Sequence, residues 1–259
     1  MKLTFFQLDS FTTRPFRGNP AGVVPLDAWL DDGTMQAIAA EANIAETAFI
    51  VREPDGWRIR WFTPTVEIDL CGHATLASAH VAFERLVPDA PSITFASRSG
   101  PLTVTREGDR LSLDFPARPA RRCEPPPGLA EGLGAAPRET WIAGDLLAVF
   151  DDEHQVRALA PRFERLRELP VRGVIATAPG TDVDFVSRFF APAVGIDEDP
   201  VTGSSHTTLI PYWSQRLGRA SLRARQISAR GGELWCEDRG ERVTISGNVA
   251  PYLEGTITV

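Results

Sequence analysis

Lysine is almost missing from this chain. Lys2 stands alone, and the other 26 of the 27 basic residues are arginine. An enzyme working through a Schiff base, on pyridoxal phosphate for instance, needs a buried lysine of depressed pKa. Lys2, at the start of the first strand, is a poor candidate. Cysteine is scarce as well: Cys71, Cys123 and Cys236 lie too far apart for a disulfide framework or a zinc-ligand spacing. There is no Walker loop, no G-x-G-x-x-G and no H-E-x-x-H. The chemistry is therefore expected to use no cofactor and no resident metal. Excess positive charge is also missing, with a net charge of −7 and a pI near 5.2. That balance argues against a nucleic-acid or anionic-membrane partner. No apolar run approaches the ~20 residues of a membrane helix. The opening MKLTFFQLD reads as a strand, without signal-peptide architecture. A cytoplasmic protein is expected.

What is present is ordinary in amount and unusual in arrangement. The 259 residues, 43% hydrophobic and 24% charged, suffice for two domains with real cores. Two stretches repeat one another at an offset of 128: RWFTPTVEIDLCGHATL from Arg60 and RFFAPAVGIDEDPVTGSSHTTL from Arg188. Between Arg60–Asp69 and Arg188–Asp197 six of ten positions are identical. After five extra residues in the second copy, His73, Thr75 and Leu76 fall on His206, Thr208 and Leu209. A self-match of this length reads as internal duplication, one structural unit per copy. In each copy small residues open an apolar helix: Cys71-Gly72 in the first, Gly203-Ser204-Ser205 in the second. The free N–H groups of such a helix start, with the positive end of its dipole, favour a carboxylate or enolate-like oxygen. Two such starts facing each other would cradle one small anionic molecule.

Along the chain, Leu3–Asp9 is expected as a strand and Gly18-Asn19-Pro20 as a turn. Asp31-Asp32 should cap a short helix through Glu41, with Met35, Ile38 and Ala39 on its inner face. A strand over Thr47–Arg52 follows. Just before it Glu46 is set among Ile44, Ala45, Ala48 and Phe49. Desolvation there favours the uncharged acid, as a proton-shuttling carboxyl requires; a solvated residue at a strand edge reads equally well. Trp57–Phe62 alternates as a half-buried strand. Leu76, Ala79, Phe83 and Val87 mark the inner face of the first motif helix. Leu102–Arg106 and Arg110–Phe115 should form a hairpin. Pro116–Gly128, with five prolines, reads as a linker without structure. Halves of 1–117 with about 253–259, and of 118–252, follow. In the second, strands are expected at Thr140–Ile142, Leu146–Phe150, Gly173–Ala178 and Phe185–Phe190, with one helix near Pro161–Leu169. The second motif helix should bury Leu209, Trp213 and Leu217, kink at Pro211 and stop at Gly218. Gln226–Arg230 and Glu233–Cys236 should pair about Gly231-Gly232. Arg242–Ser246 and Thr256–Val259 are expected as closing strands. Many strands with one long helix per half give an α+β fold, each half a curved sheet wrapped around its helix.

Four segments, GNPAGVV, NIAETAFI, IDLCGHATLASAHV and DEDPVTGSSHTTLIPYW, together resemble the PhzF-like phenazine biosynthesis proteins, in order from about Phe11 to the last strand. The resemblance implies the diaminopimelate epimerase-like fold, two pseudo-symmetric halves with the active site between them, and a homodimer. It implies an isomerase that needs no cofactor, in which Glu46 moves a proton between carbons of a small carboxylic acid. It implies that His73 and Asp199 line the site with Ser204 as a polar contact, and that Gly72, Gly203 and neighbouring N–H groups, Ser205 among them, hold the carboxylate. Helix capping for His73 and loop capping for Asp199 are the plain alternatives. His80 and His206 read as structural, His154 as solvated.

Two other functions stay open on the sequence. Epimerases of that fold use one cysteine per half, and Cys71 sits where the first would stand, at a helix start that lowers a thiol pKa. The second copy offers no cysteine, which disfavours two-thiol racemisation and leaves Cys71 as a small buried residue. The third reading is a non-catalytic binding protein; the presence of Glu46, His73 and Asp199 argues against it.

Overall fold

The computed structural model describes residues 1–259, which separate into two compact units. One comprises Met1–Asp114 with Ser246–Val259, the other Phe115–Ile245. No helix is long and apolar enough to cross a membrane.

The first unit runs β1 (Lys2–Ser10), β2 (Asn19–Leu26), α1 (Asp32–Ala42), β3 (Glu46–Glu53), β4 (Gly56–Phe62), β5 (Glu67–Ile68), α2 (Gly72–Arg85), β6 (Ser92–Ser97), β7 (Gly100–Glu107) and β8 (Arg110–Pro116). Asn19 and Pro20 do not form the expected turn. They open β2 opposite Ser10 and Asp9, and the reversal precedes them, using positive φ at Phe11, Phe16 and Gly18. Asp31 caps α1, accepting from the Thr34 N–H at 2.9 Å. Met35, Ile38 and Ala39 pack inward with Phe5, Val24, Phe49 and Phe62. α1 carries the chain back so that β2 and β3 lie parallel.

α2 is buried from His73 to Ala79 and again over Val81–Phe83. It packs on β1, β2 and β3. Its sequence, GHATLASAHVAFER, has small residues on most sides, as a helix enclosed by a sheet requires. Val87 lies beyond the helix, which ends at Arg85.

The second unit runs β9 (Arg121–Arg122), α3 (Leu129–Leu133), β10 (Glu139–Ile142), β11 (Leu146–Val149), α4 (Glu153–Ala158), α5 (Phe163–Arg167), β12 (Val174–Pro179), β13 (Phe185–Ala191), β14 (Ile196–Asp199), α6 (Gly203–Leu217), β15 (Ser221–Gln226), β16 (Gly232–Asp238) and β17 (Arg242–Gly247). The final strand, β18 (Val249–Thr258), begins seven residues before the expected Thr256 and pairs with β1. The proline-rich segment is not structureless either, since Arg121–Arg122 pair with Ile142 and Trp141. Ile227–Arg230 form a loop, and the strand facing β16 starts at Ser221 instead.

The duplication is visible as one pairing order used twice. In the first unit β1–β2 are antiparallel, β2–β3 parallel, and β3–β4 and β4–β5 antiparallel. α2 then leads to β6, which lies parallel to β4 and antiparallel to β7. The second unit repeats this with β10–β11 antiparallel, β11–β12 parallel, and β12–β13 and β13–β14 antiparallel. After α6, β15 is parallel to β13 and antiparallel to β16. The shared arginine has one job in both. Arg60 grips Glu67 with two hydrogen bonds of 2.7 and 2.8 Å and lies over Phe62. Arg188 grips Glu198 with bonds of 2.8 and 2.9 Å and lies over Phe190. Fork-like pairs of this kind hold the arm before each helix in register.

Candidate active site

Glu46 is the first residue of β3, paired with Ala21 of the parallel neighbour β2. Cys71 is the N-cap of α2 and offers no side-chain cap, and His73 follows in the first turn. The main chain here is tied from two sides. Ser10 donates its hydroxyl to the His73 carbonyl at 2.8 Å. Thr75 donates its own to the Cys71 carbonyl at 2.6 Å. The result is a buried trio: Glu46, Cys71 and His73 are 8%, 6% and 6% exposed. His73 Nε2 lies 3.1 Å from Glu46 Oε2. Cys71 Sγ lies 3.4 Å from Nδ1 and 4.0 Å from Nε2. The carboxyl contact is within ion-pair distance, yet no donor is aligned on Oε2 as a hydrogen bond. We read it as an electrostatic contact with one acceptor lone pair left open.

Burial is the largest influence on the His73 imidazole and lowers its pKa, but the Cys71 sulfur and the Glu46 carboxylate raise it and prevail, to well above its usual value. Burial, reinforced by Glu46, raises the Cys71 thiol. A thiol held neutral lends the ring no charge, so Glu46 is the partner that keeps His73 protonated. An imidazolium against a buried carboxylate fixes the carboxyl and leaves it able to accept a proton from carbon.

The second unit carries the other candidates. Asp199 ends β14, and its Oδ2 accepts from Thr202 Oγ1 at 2.6 Å. Fully buried Gln226 pins this turn, accepting from the Thr202 N–H at 2.8 Å and donating to the Asp199 carbonyl at 2.8 Å. Gly203 is buried at the first turn of α6, and the Thr202 N-cap makes no side-chain cap bond. Ser205 donates its hydroxyl to the Thr202 carbonyl at 2.8 Å. Ser204 is half-buried with Arg172 Nη2 3.5 Å from its hydroxyl. That arginine is clamped by buried Asp145, with Nε at 2.9 Å. Neither Gln226 nor Arg172 stands out in the sequence, because the partners of each lie about 25 residues away or more. His206 is buried and bonded through Nδ1 to the Thr202 carbonyl at 2.8 Å. His154 is exposed, and His80 is partly buried.

The structure thus brings Glu46 and His73 together and adds Cys71. It gathers Asp199, Gly203, Ser204 and Ser205 about one helix start. The three donors of the first cluster all lie within 4.8 Å of one another.

A buried carboxyl–imidazole pair at the start of an enclosed helix, in a twice-used α+β unit, fits an isomerase that moves protons. The sequence profile of the phenazine biosynthesis-like proteins matches residues 8–255, and the chain belongs to that family. An uncharacterized isomerase of Pseudomonas aeruginosa is 56% identical over 257 residues, covering 99% of both chains. The crystal structure of a PhzF-family phenazine biosynthesis protein from Enterococcus faecalis superposes with a TM-score of 0.98 at 44% identity, covering all of both chains. A hydroxyproline epimerase from Agrobacterium vitis has a TM-score of 0.63 at 12% identity, covering 99% of this chain and 91% of its own. This last likeness concerns the fold. The protein is an isomerase of PhzF type.

Proposed function

We propose that this isomerase moves a proton between carbons of a small carboxylic acid, with Glu46 as the proton carrier and no cofactor. The observation that carries the reading is Glu46 itself. It is a buried carboxyl 3.1 Å from an imidazole whose protonated form it sustains, with an open lone pair on Oε2. His73 positions the carboxyl and neutralises its charge, so Glu46 can sit in an apolar setting and still act as a base. In the first unit, Gly72 at the start of α2 supplies N–H groups for an anionic group of the substrate; in the second, Gly203, Ser204 and Ser205 open α6 as a start of the same kind. Asp199, just before that second start, is the polar side chain of its unit proposed for the same role.

Small unsaturated and α-substituted carboxylic acids, incubated with the protein in heavy water and followed by proton NMR, test this. A substrate should exchange hydrogen at one carbon while a double bond or a stereocentre changes elsewhere in the same molecule. If turnover instead requires an added metal or organic cofactor, the cofactor-free reading is wrong.

A further inference from the structure

We propose that Arg172 and Ser204, at the start of α6, form a carboxylate-binding site of the second unit, the place where that unit takes hold of the acid substrate. Only the assignment of the carboxylate to the substrate rests on the proposed function. The strand registers locate Arg172 within the repeat. Phe62 and Phe190 are equivalent in the two copies, and they pair with Thr47 and Val174. Gly173 therefore falls on Glu46, and Arg172 stands one residue before it. A Cβ at Gly173 would lie 2.5 Å from the Phe189 ring, so the second copy has no room for a carboxyl at the place of Glu46. Beside its helix start it offers a guanidinium instead.

That guanidinium is fixed in place. Asp145, 5% exposed, accepts from Arg172 Nε at 2.9 Å and from Nη2 at 2.5 Å. The Phe189 ring lies 5.4 Å from the guanidinium carbon, and Nη2 is also 3.5 Å from the Ser204 hydroxyl. The edge formed by Nε and Nη2 is thus taken. Nη1, with no acceptor of its own, completes a second edge with Nη2 on a side chain that is 46% exposed. A free guanidinium edge held in one plane matches the two oxygens of a carboxylate. An ion pair that only stapled β11 to β12 would need the first edge alone. A second observation points to a ligand. Ser187 is 1% exposed, and its hydroxyl has no hydrogen-bond partner. Alternation along β13 sets it on the same face as Phe189, against Arg172, and Phe185, against His206 in the first turn of α6. A buried donor is thus left open toward the ground between Arg172 and α6, where a native structure rarely leaves one unmet. The N–H groups of the α6 start add to it, because Thr202 makes no side-chain cap bond. A second guanidinium, that of Arg118, lies near Gly144, the residue before Asp145.

Titration of the isotope-labelled full chain with acetate and succinate, at constant ionic strength and against a chloride control, reads the binding by NMR. The Arg172 Nε–H signal is the one missing from Arg172→Met, whose fold is checked by circular dichroism. With either carboxylate this signal and the Ser204 amide should shift and saturate together, and chloride should move neither. Followed at the Ser204 amide, affinity should fall at least about tenfold in Arg172→Met, as the loss of charge-assisted hydrogen bonds implies. Arg172→Lys, which keeps the charge without the fork, should fall between the two. A shift that does not saturate, that chloride reproduces, or that keeps its affinity in Arg172→Met overturns the proposal. The titration needs no turnover, so Glu46→Gln should bind both carboxylates as the wild type does, and failure of the proton-carrier reading leaves this result unchanged. Carboxylate binding together with an isomerase KM that Arg172→Met does not alter would overturn the assignment of that carboxylate to the substrate.

Discussion

At the scale of single residues, the decisive question is which member of the buried trio moves the proton. Cys71 has a pKa raised by burial, which makes it a poor thiolate base. Cys71→Ser should therefore keep turnover within about tenfold, or ~1.4 kcal/mol of barrier. A loss of several orders of magnitude, measured as kcat on a substrate found by heavy-water exchange, would bring back the cysteine-dependent reading. The sequence exposes Glu46 through its apolar neighbours, Ala48 and Phe49. It does not show the His73 contact, because a helix start and a strand start 27 positions apart meet only through the parallel pairing of β2 with β3 and the packing of α2 on both. Arg172 was hidden for the same reason. Its guanidinium is fixed by Asp145 and reaches Ser204. Arg172→Met should raise KM several-fold more than it lowers kcat if it helps to hold the anionic end of the substrate. An unchanged KM would assign it to structure alone.

At the scale of elements, α6 carries two tests. Pro211 lies inside the helix and has no N–H for the Thr207 carbonyl. That carbonyl instead accepts from the Arg118 N–H at 2.9 Å, in the proline-rich segment. Pro211→Ala gives Thr207 a competing intrahelical donor. Hydrogen exchange at the Arg118 amide should then accelerate, and unchanged protection would contradict this account of the proline position. The sequence marks Pro211 as a disturbance and Pro116–Gly128 as unstructured. It cannot show that one supplies the acceptor for the other. The second test is His206, whose pKa burial lowers to about 4 against a weaker opposing bond to the Thr202 carbonyl. A folded pKa below the unfolded value means that the stability from this group is complete above about 6.5 and is lost as pH falls through about 4. The expected loss is on the order of 3 kcal/mol. Urea unfolding of wild type and His206→Gln between pH 7 and pH 4 measures it. The variant should lack that part of the slope, whatever its absolute stability, and parallel curves would contradict the assignment.

At the scale of the whole molecule, the repeated pairing order and the paired Arg60–Glu67 and Arg188–Glu198 forks show what the six shared residues encode. The conserved arginine and phenylalanine of each copy build the strand and its lock. The shared proline, valine, isoleucine and aspartate lie along the arm that feeds each helix. That much was legible because it is local: strand, arm and helix follow one another in the chain. Strand ends were less so. β18 reaches back to Val249 along β1 although Pro251 and Gly255 break its local strand signal; partner strands decide such cases.

The central claim, Glu46 as the proton carrier, is tested most directly by Glu46→Gln. The amide keeps the shape and hydrogen-bonding capacity of the side chain but cannot accept a proton from carbon. Turnover should fall by more than the roughly 10²–10⁴-fold typical of a lost general acid or base. Deuterium incorporation from heavy water should fall with it, while substrate affinity persists. Near-normal turnover in the Gln variant would contradict the mechanism outright.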